Sequence, residues 1–166
     1  FLKCISYEVR GRRYQSIGFA NQSGGHELRD NGTFKGTIAP KDITPIFTDK
    51  IINQIQPTCV FEGFMDFLSW QTLNPSSTSD AIVLNSLALL PRIQEKIKSY
   101  KQVESFLDND DAGRKSFEVL KHFCPSIIDG SVRYRTHKDI NEWLVTQSQL
   151  KCKQPLSPTT KRGIRR

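Results

Sequence analysis

From Thr58 onward, short apolar runs alternate with longer stretches whose apolar residues recur at helical spacing. "TCVFEG" reads as a short strand, and "FMDFLSWQTL" as a helix with apolar residues three and four apart. After the loop "NPSSTSD", the continuous apolar run "AIVLNS" predicts a strand covered on both faces. "LALLPRIQEKIKSY" reads as helical, with Pro91 tolerable near its first turn. "QVESFLDND" predicts a strand, "AGRKSFEVLKHF" a helix, "IIDGSVRYRT" another strand and "KDINEWLVTQSQ" a last helix. This alternation places the chain in the α/β class, with a mostly parallel sheet flanked by helices.

The first third has a different rhythm. "CISYEVRGRRYQSIGFAN" sets β-branched and aromatic residues on both sides of Gly11, the signature of a hairpin. Gly24-Gly25 and Asn31-Gly32 mark two further turns. Asp49 to Gln56 reads as a short amphipathic helix stopped by Pro57. The expected organisation is an N-terminal, strand-rich antiparallel subdomain over residues 1–50, an α/β domain over 51–150 and a tail over 151–166.

Charge sharpens the last boundary. The chain of 166 residues carries +7, of which the tail from Lys151 to Arg166 supplies six positive charges and no acid. The preceding 150 residues are nearly neutral, with 18 basic and 17 acidic side chains. A Pro/Ser/Thr/Lys/Arg segment of this kind cannot bury a core, so the tail reads as disordered and able to bind phosphate backbones or simply to solubilise. No stretch approaches the roughly 20 apolar residues of a membrane span, and no signal peptide is visible, so no membrane partner is expected. Cys4, Cys59, Cys124 and Cys152 lie far apart, without zinc spacing. They read as reduced thiols of a cytoplasmic protein, with no zinc in this stretch. The first residue, Phe1, already stands in strand-like sequence, as in a piece of a longer protein.

Acidic residues gather where the predicted strands end. Glu62 closes "TCVFEG", Asp108 and Asp110 close "VESFLDND", and Asp139 opens the last helix. In open α/β sheets ligands bind beyond the carboxyl ends of strands. On an extended chain Asp108 and Asp110 point the same way, with Asn109 opposite. Two adjacent carboxylates repel unless one is protonated or a cation intervenes. All-oxygen ligands suit a hard cation, so Mg²⁺ or Mn²⁺ is expected. A calcium loop of the D-x-D-x-x-G type fails, because Ala112 and Val119 stand at its fifth and twelfth positions. Asp111 opens the following helix, where an acid favours the positive helix end. In "FEGFMD", Gly63 permits a tight turn, and Asp66 on the first helical turn can face the same crevice as Glu62.

"VFEGFMD", "AIVLNS", "FLDNDDAGR" and "KDINEWL", in this order, closely resemble the TOPRIM domain of bacterial primases, type IA and type II topoisomerases and some nucleases. The resemblance spans Thr58 to Leu144. It is nearest to the primase branch, through "D-x-D-x-A-G-R" and the late "DINEWL". "SIGFANQSGG" followed by "FKG" is similar to the strand-rich subdomain that precedes TOPRIM in primases, which has a glycine-turned strand and a nearby Phe-x-Lys. "GGHELRDNGTFKG" and "APKDIT" resemble primase-like proteins of mobile elements in Bacteroides-type bacteria. One departure is Asn85-Ser86, where primases usually carry Gly-Thr.

The resemblance implies a TOPRIM fold with a magnesium site. Glu62 matches the family glutamate, with a role in acid/base work or metal contact. Asp108 and Asp110 match the metal ligands, Asp66 supports the site, and Asp139 is a further metal candidate. Lys35 falls where primases have a lysine facing nucleic acid or nucleotide. Arg114, Lys115 and Lys138 are candidates for phosphate contacts; as surface basic residues they also read as solvated helix faces. The implied activity is metal-dependent phosphoryl transfer, namely primer synthesis from nucleotides on a single-stranded DNA template. A helicase or another replication or mobilisation protein is the implied macromolecular partner. Whether the stretch acts autonomously stays open, since it holds no zinc-binding domain. Two other readings stay open beside primer synthesis: a TOPRIM nuclease, and a non-catalytic nucleic-acid-binding module.

Overall fold

The computed structural model of the chain describes residues 2–48 and 57–153. The helix expected over Asp49–Gln56 and the end of the basic tail lie outside the described residues. No helix among the described residues is long and apolar enough to cross a membrane.

Four strands build an antiparallel sheet in sequential order: β1 (Leu2–Val9), β2 (Arg12–Ala20), β3 (His26–Arg29) and β4 (Lys35–Ile38). The three expected turns join them. Arg10 and Gly11 both take positive φ at the first, and the backbone there suits glycine at its second position. Asp30 organises the third, accepting hydrogen bonds from the N–H groups of Gly32 and Phe34.

A second sheet holds β5 (Thr44–Ile46), β6 (Thr58–Phe61), β7 (Asp80–Val83), β8 (Val103–Phe106) and β9 (Ile128–Asp129), in the order β5-β7-β6-β8-β9. All pairs are parallel except β5 with β7. Residues 44–46, expected within the antiparallel unit, therefore edge the parallel sheet instead. β6 and β7 are buried at every position, and alternate residues enter two separate cores. Cys59, Phe61, Ala81 and Val83 join one core with α1 (Phe64–Leu73) and α4 (Ile140–Lys153). Val60, Ile82 and Leu84 join the other with α3 (Asp111–Phe123), the short α2 (Gln94–Lys98) and the 3-10 segment Leu87–Ile93. This two-sided burial is what a continuous apolar strand anticipates. The fold is α/β as expected: a mostly parallel sheet between helices, with an antiparallel sheet beside it.

Two expected elements take other forms. The helix from Leu87 begins as a 3-10 helix, because Pro91 withdraws the N–H that an α-turn would return to Leu87. "IIDGSVRYRT" yields only the two residues of β9 before a 3-10 turn over Gly130–Tyr134. The side chains draw it inward. Tyr134 is fully buried and donates to the Leu107 carbonyl at 2.9 Å, and Gly130 sits so near Phe106 that a Cβ would stand 2.7 Å from its ring.

The two sheets meet through side chains. Phe19 of β2 stacks on Phe64 of α1 at 5.0 Å between ring centroids, and the Arg29 guanidinium lies over the same ring. Below them Asp42 accepts from Gln22, Ser23 and the Ile43 N–H, and pairs with Arg92 at 2.7 Å.

Candidate metal centre

β6 is the central strand. The chain leaves it toward β7 on one side and reappears at β8 on the other, so the carboxyl ends of β6 and β8 bound a topological switch point. Phe61 and Phe106 are in register there, which brings Glu62 beside the segment that carries Asp108. The Asp108 N–H lies 3.4 Å from Glu62 Oε2.

Asp66 reaches the same rim from the first turn of α1. Gly63 precedes that helix without a capping side chain, and a Cβ on it would stand 3.2 Å from Asp66 Oδ2. Asp139 arrives from the other end of the chain. Its Oδ1 accepts from the Glu142 N–H, while Glu142 Oε2 accepts from the Lys138 N–H, a reciprocal pairing that caps α4. Asn109 holds this late segment against β8. Its side-chain amide donates to the carbonyls of Tyr134 and His137, and its N–H donates to the Lys138 carbonyl at 2.7 Å.

The result is a group of three carboxylates, Asp66, Asp108 and Asp139, each offering an oxygen within 4.8 Å of the others. Asp66 and Asp108 are each only 8% exposed. Burial first, and then the charges of Asp139, Asp108 and Glu62, push the Asp66 carboxyl up to about 8. Burial, then Asp108, pushes Glu62 up to about 7. Burial also raises Asp108, against the Lys138 ammonium that lies 2.9 Å from its Oδ2. This is the electrostatic state of a donor set short of positive charge, and hard oxygen donors fit Mg²⁺ or Mn²⁺.

The remaining sequence candidates fall in different places. Asp110 contributes its carboxylate as the cap of α3, accepting from the Gly113 N–H at 2.9 Å, and stands outside the group of three. Lys35 and Lys138 line the cavity of about 330 Å³ that holds the acids. Arg114 and Lys115 line a second cavity with Asp129 and Ser131, which Asp108 also borders. Arg114 is engaged by Asp111 and by the Asn109 carbonyl.

Sequence reasoning did not single out Arg29, which lines the acid cavity opposite Lys35 in the β3–β4 register. The Asn31-Gly32 turn carried that information, since it pairs the flanking residues. Asn85, where the resemblance marked a departure, takes a positive φ of 60° and donates to the Asp42 carbonyl and to Thr44 Oγ1. It therefore ties the cavity wall to the junction between the sheets.

A family model described as Toprim-like matches residues 59–144. A second model, described as a domain of unknown function, matches residues 1–39. No curated protein matches the chain by sequence. Among solved structures, the primase fragment of the bacteriophage T7 primase-helicase protein is similar, with 20% identity and a TM-score of 0.60. The match covers 90% of this chain and 64% of that one, so the chain spans less than two thirds of that fragment. A chain from the structure of bacteriophage T7 lagging-strand DNA polymerase with the primase domains of two gp4 subunits, bound to an RNA/DNA hybrid and dTTP, is similar to the same degree. There too identity is 20% and the TM-score 0.60, over 90% of this chain and 79% of that one.

Proposed function

Since the chain belongs to the Toprim-like family, we propose that it is the metal-dependent phosphoryl-transfer core of a primase-like protein, joining nucleotides on a single-stranded DNA template. The observation that carries this reading is the convergence of Asp66, Asp108 and Asp139, from three separate segments, at the switch point of the sheet. Asp66, Asp108 and Asp139 would hold Mg²⁺ or Mn²⁺, with Asp110 and Glu62 beside them. A bound divalent ion would neutralise charge developing on the transferred phosphoryl group.

The protein's own groups account for the rest. Glu62, pushed up to about 7, can take or return a proton near neutral pH and would accept one from an attacking hydroxyl. Lys138, Lys35 and Arg29 present positive charge to the same cavity and would orient anionic phosphates. The two expected units would act together in this reading, since Lys35 and Arg29 come from the first and the acids from the second. The mobile-element affiliation suggested by "APKDIT" belongs to the same proposal, as do a helicase or mobilisation partner and a cytoplasmic setting.

Incubation with labelled nucleotides, single-stranded template and Mg²⁺ tests this reading. Primer formation that Glu62→Gln abolishes supports it. Nicking of DNA without nucleotides would replace it with a nuclease, and undiminished biological function of Glu62→Gln with a non-catalytic module.

A further inference from the structure

The antiparallel sheet has two faces, and only one looks toward the acid cavity. Register and strand alternation place Phe19, Arg29 and Lys35 on the inner face. Onto the opposite face project Lys3, Ile5, Tyr7, Val9, Arg12 and Tyr14, followed by Ser16, Gly18, Leu28, Gly36 and Ile38. No strand residue on this outer face is acidic.

Three aromatic rings cross that face. Tyr7 stacks on its cross-strand partner Tyr14 at 5.7 Å between centroids and on Phe34 at 6.1 Å, each pair within 19° of parallel. The floor beneath them is made of small residues. A Cβ on Gly36 would stand 2.6 Å from the Phe34 ring, and the Tyr7 hydroxyl pairs with Ser16 Oγ at 3.2 Å. The rings are therefore held in place before any ligand arrives. Their outer members stay open to solvent: Tyr14 is 43% exposed and Phe34 39%.

Positive charge surrounds them. Lys3 and Arg12 lie on the same face, and Arg10 stands at the hairpin tip. No ion pair among the described residues involves Lys3, Arg10, Arg12 or Arg13. Glu8, the acid of this hairpin, belongs to the inner face.

We propose that this outer face, through Tyr14, Tyr7 and Phe34 with Arg10, Arg12 and Lys3, is a docking surface for single-stranded nucleic acid, separate from the acid cavity. Flat, exposed rings flanked by unpaired cations match unstacked bases on a polyanionic backbone. A duplex hides its base faces within the stack and offers the rings nothing. The ligand class rests on the nucleic-acid reading of the preceding subsection; the placement rests on the rings and cations alone. The surface would hold template or product away from the reacting end, on the reverse side of the sheet.

Fluorescence anisotropy with labelled oligo(dT) or oligo(U) of about 12 nucleotides, on the full chain in EDTA, tests the proposal without any metal. Tyr14→Leu with Phe34→Leu keeps apolar bulk and removes the rings; binding should weaken about tenfold or more. Tyr14→Phe with Phe34→Tyr should bind as the parent does. Arg10→Ala with Arg12→Ala should lower the slope of log affinity against log salt by about 1 to 1.5. Comparing the two oligonucleotides tells DNA from RNA. Unchanged affinity in the leucine variant overturns the proposal, as does equal loss in the ring-retaining variant or equal binding of a duplex. Loss of Mg²⁺ binding with oligonucleotide binding intact would sink the metal reading and leave this surface standing.

Discussion

The Lys138 ammonium lies 2.9 Å from Asp108 Oδ2, within the carboxylate group. No other ion pair among the described residues reaches Asp66, Asp108 or Asp139. Lys138 thus supplies part of the positive charge that the buried acids need, from a side chain that is itself half exposed. A divalent ion would have to share Asp108 with it. Lys138→Met should therefore tighten Mg²⁺ binding, by about fivefold for removal of one nearby charge in a screened site, while impairing turnover. Calorimetric titration reads the first effect and the primer assay the second. Weaker binding in the variant would show that Lys138 supports the ion rather than competing with it.

Asp108 and Asp110 look equivalent in the sequence, but their carboxylates have different partners here. Asp66→Asn, Asp108→Asn and Asp139→Asn should each weaken Mg²⁺ binding about tenfold or more, through loss of a charged ligand. Asp110→Asn retains the cap of α3 and should weaken it less. Asp110→Ala should in addition cost about 1 kcal/mol of stability through loss of that cap. Calorimetry with the four asparagine variants, and urea unfolding of the alanine variant, check this ranking.

Stability without metal should depend on pH in a defined direction. Glu62 and Asp66 are raised to about 7 and about 8 in the folded protein, above their ordinary values near 4.5 and 3.8. The folded state keeps these protons where the unfolded chain has released them. The associated stability is complete below the ordinary values and is lost as pH rises through the folded ones. Melting temperature in EDTA should thus fall between about pH 5 and pH 8 and then level off. Asp66→Asn should flatten the fall. Mg²⁺ should stabilise more at pH 8 than at pH 6, because its ligands must first lose their protons. A melting temperature that rises with pH across this interval in EDTA would contradict the burial of these acids.

Asp42 fastens the two sheets. It is 2% exposed. Burial works to raise its carboxyl, yet hydrogen bonds from Ser23, Gln22, the Ile43 N–H and Arg92 outweigh that and hold it well below the usual carboxylate range. Asp42→Ala leaves these donors without their acceptor and should cost about 2 kcal/mol or more. Arg92→Met should cost under about 1 kcal/mol, since the guanidinium is half exposed and its loss is screened. Urea unfolding measures both. The Asn85 side chain donates to the Asp42 backbone carbonyl, which Asp42→Ala retains, so metal binding at the cavity should change little in that variant.

Local chemistry was legible along the chain wherever a signal spans only a few residues. The apolar run "AIVL" announced a strand buried on both faces, and "TCVF" a short strand. Gly11, Gly24-Gly25 and Asn31-Gly32 announced turns. The acids at the ends of β6 and β8 pointed to one crevice, and Glu62 indeed lies against the Asp108 backbone. Backbone periodicity and turn stereochemistry are encoded within a few neighbouring residues, so such features survive reading without a fold.

Long-range pairing settled what remained. Residues 44–46 look like a continuation of the first sheet, but the edge of β7 was open to them and they paired there. "IIDGSVRYRT" carries strand-forming residues, yet the pull of Tyr134 toward the Leu107 carbonyl curls it after two. Asp108 and Asp110 are alike by type and spacing; only the start of α3 assigned one of them to the Gly113 N–H. Asp139, Arg29 and Lys138 reached the site because Asn109 pinned a distant loop to β8 and because β2 stacked on α1. Each of these outcomes depends on which surfaces and hydrogen-bonding edges remain unsatisfied once the chain has closed on itself, a condition that no short window of residues contains.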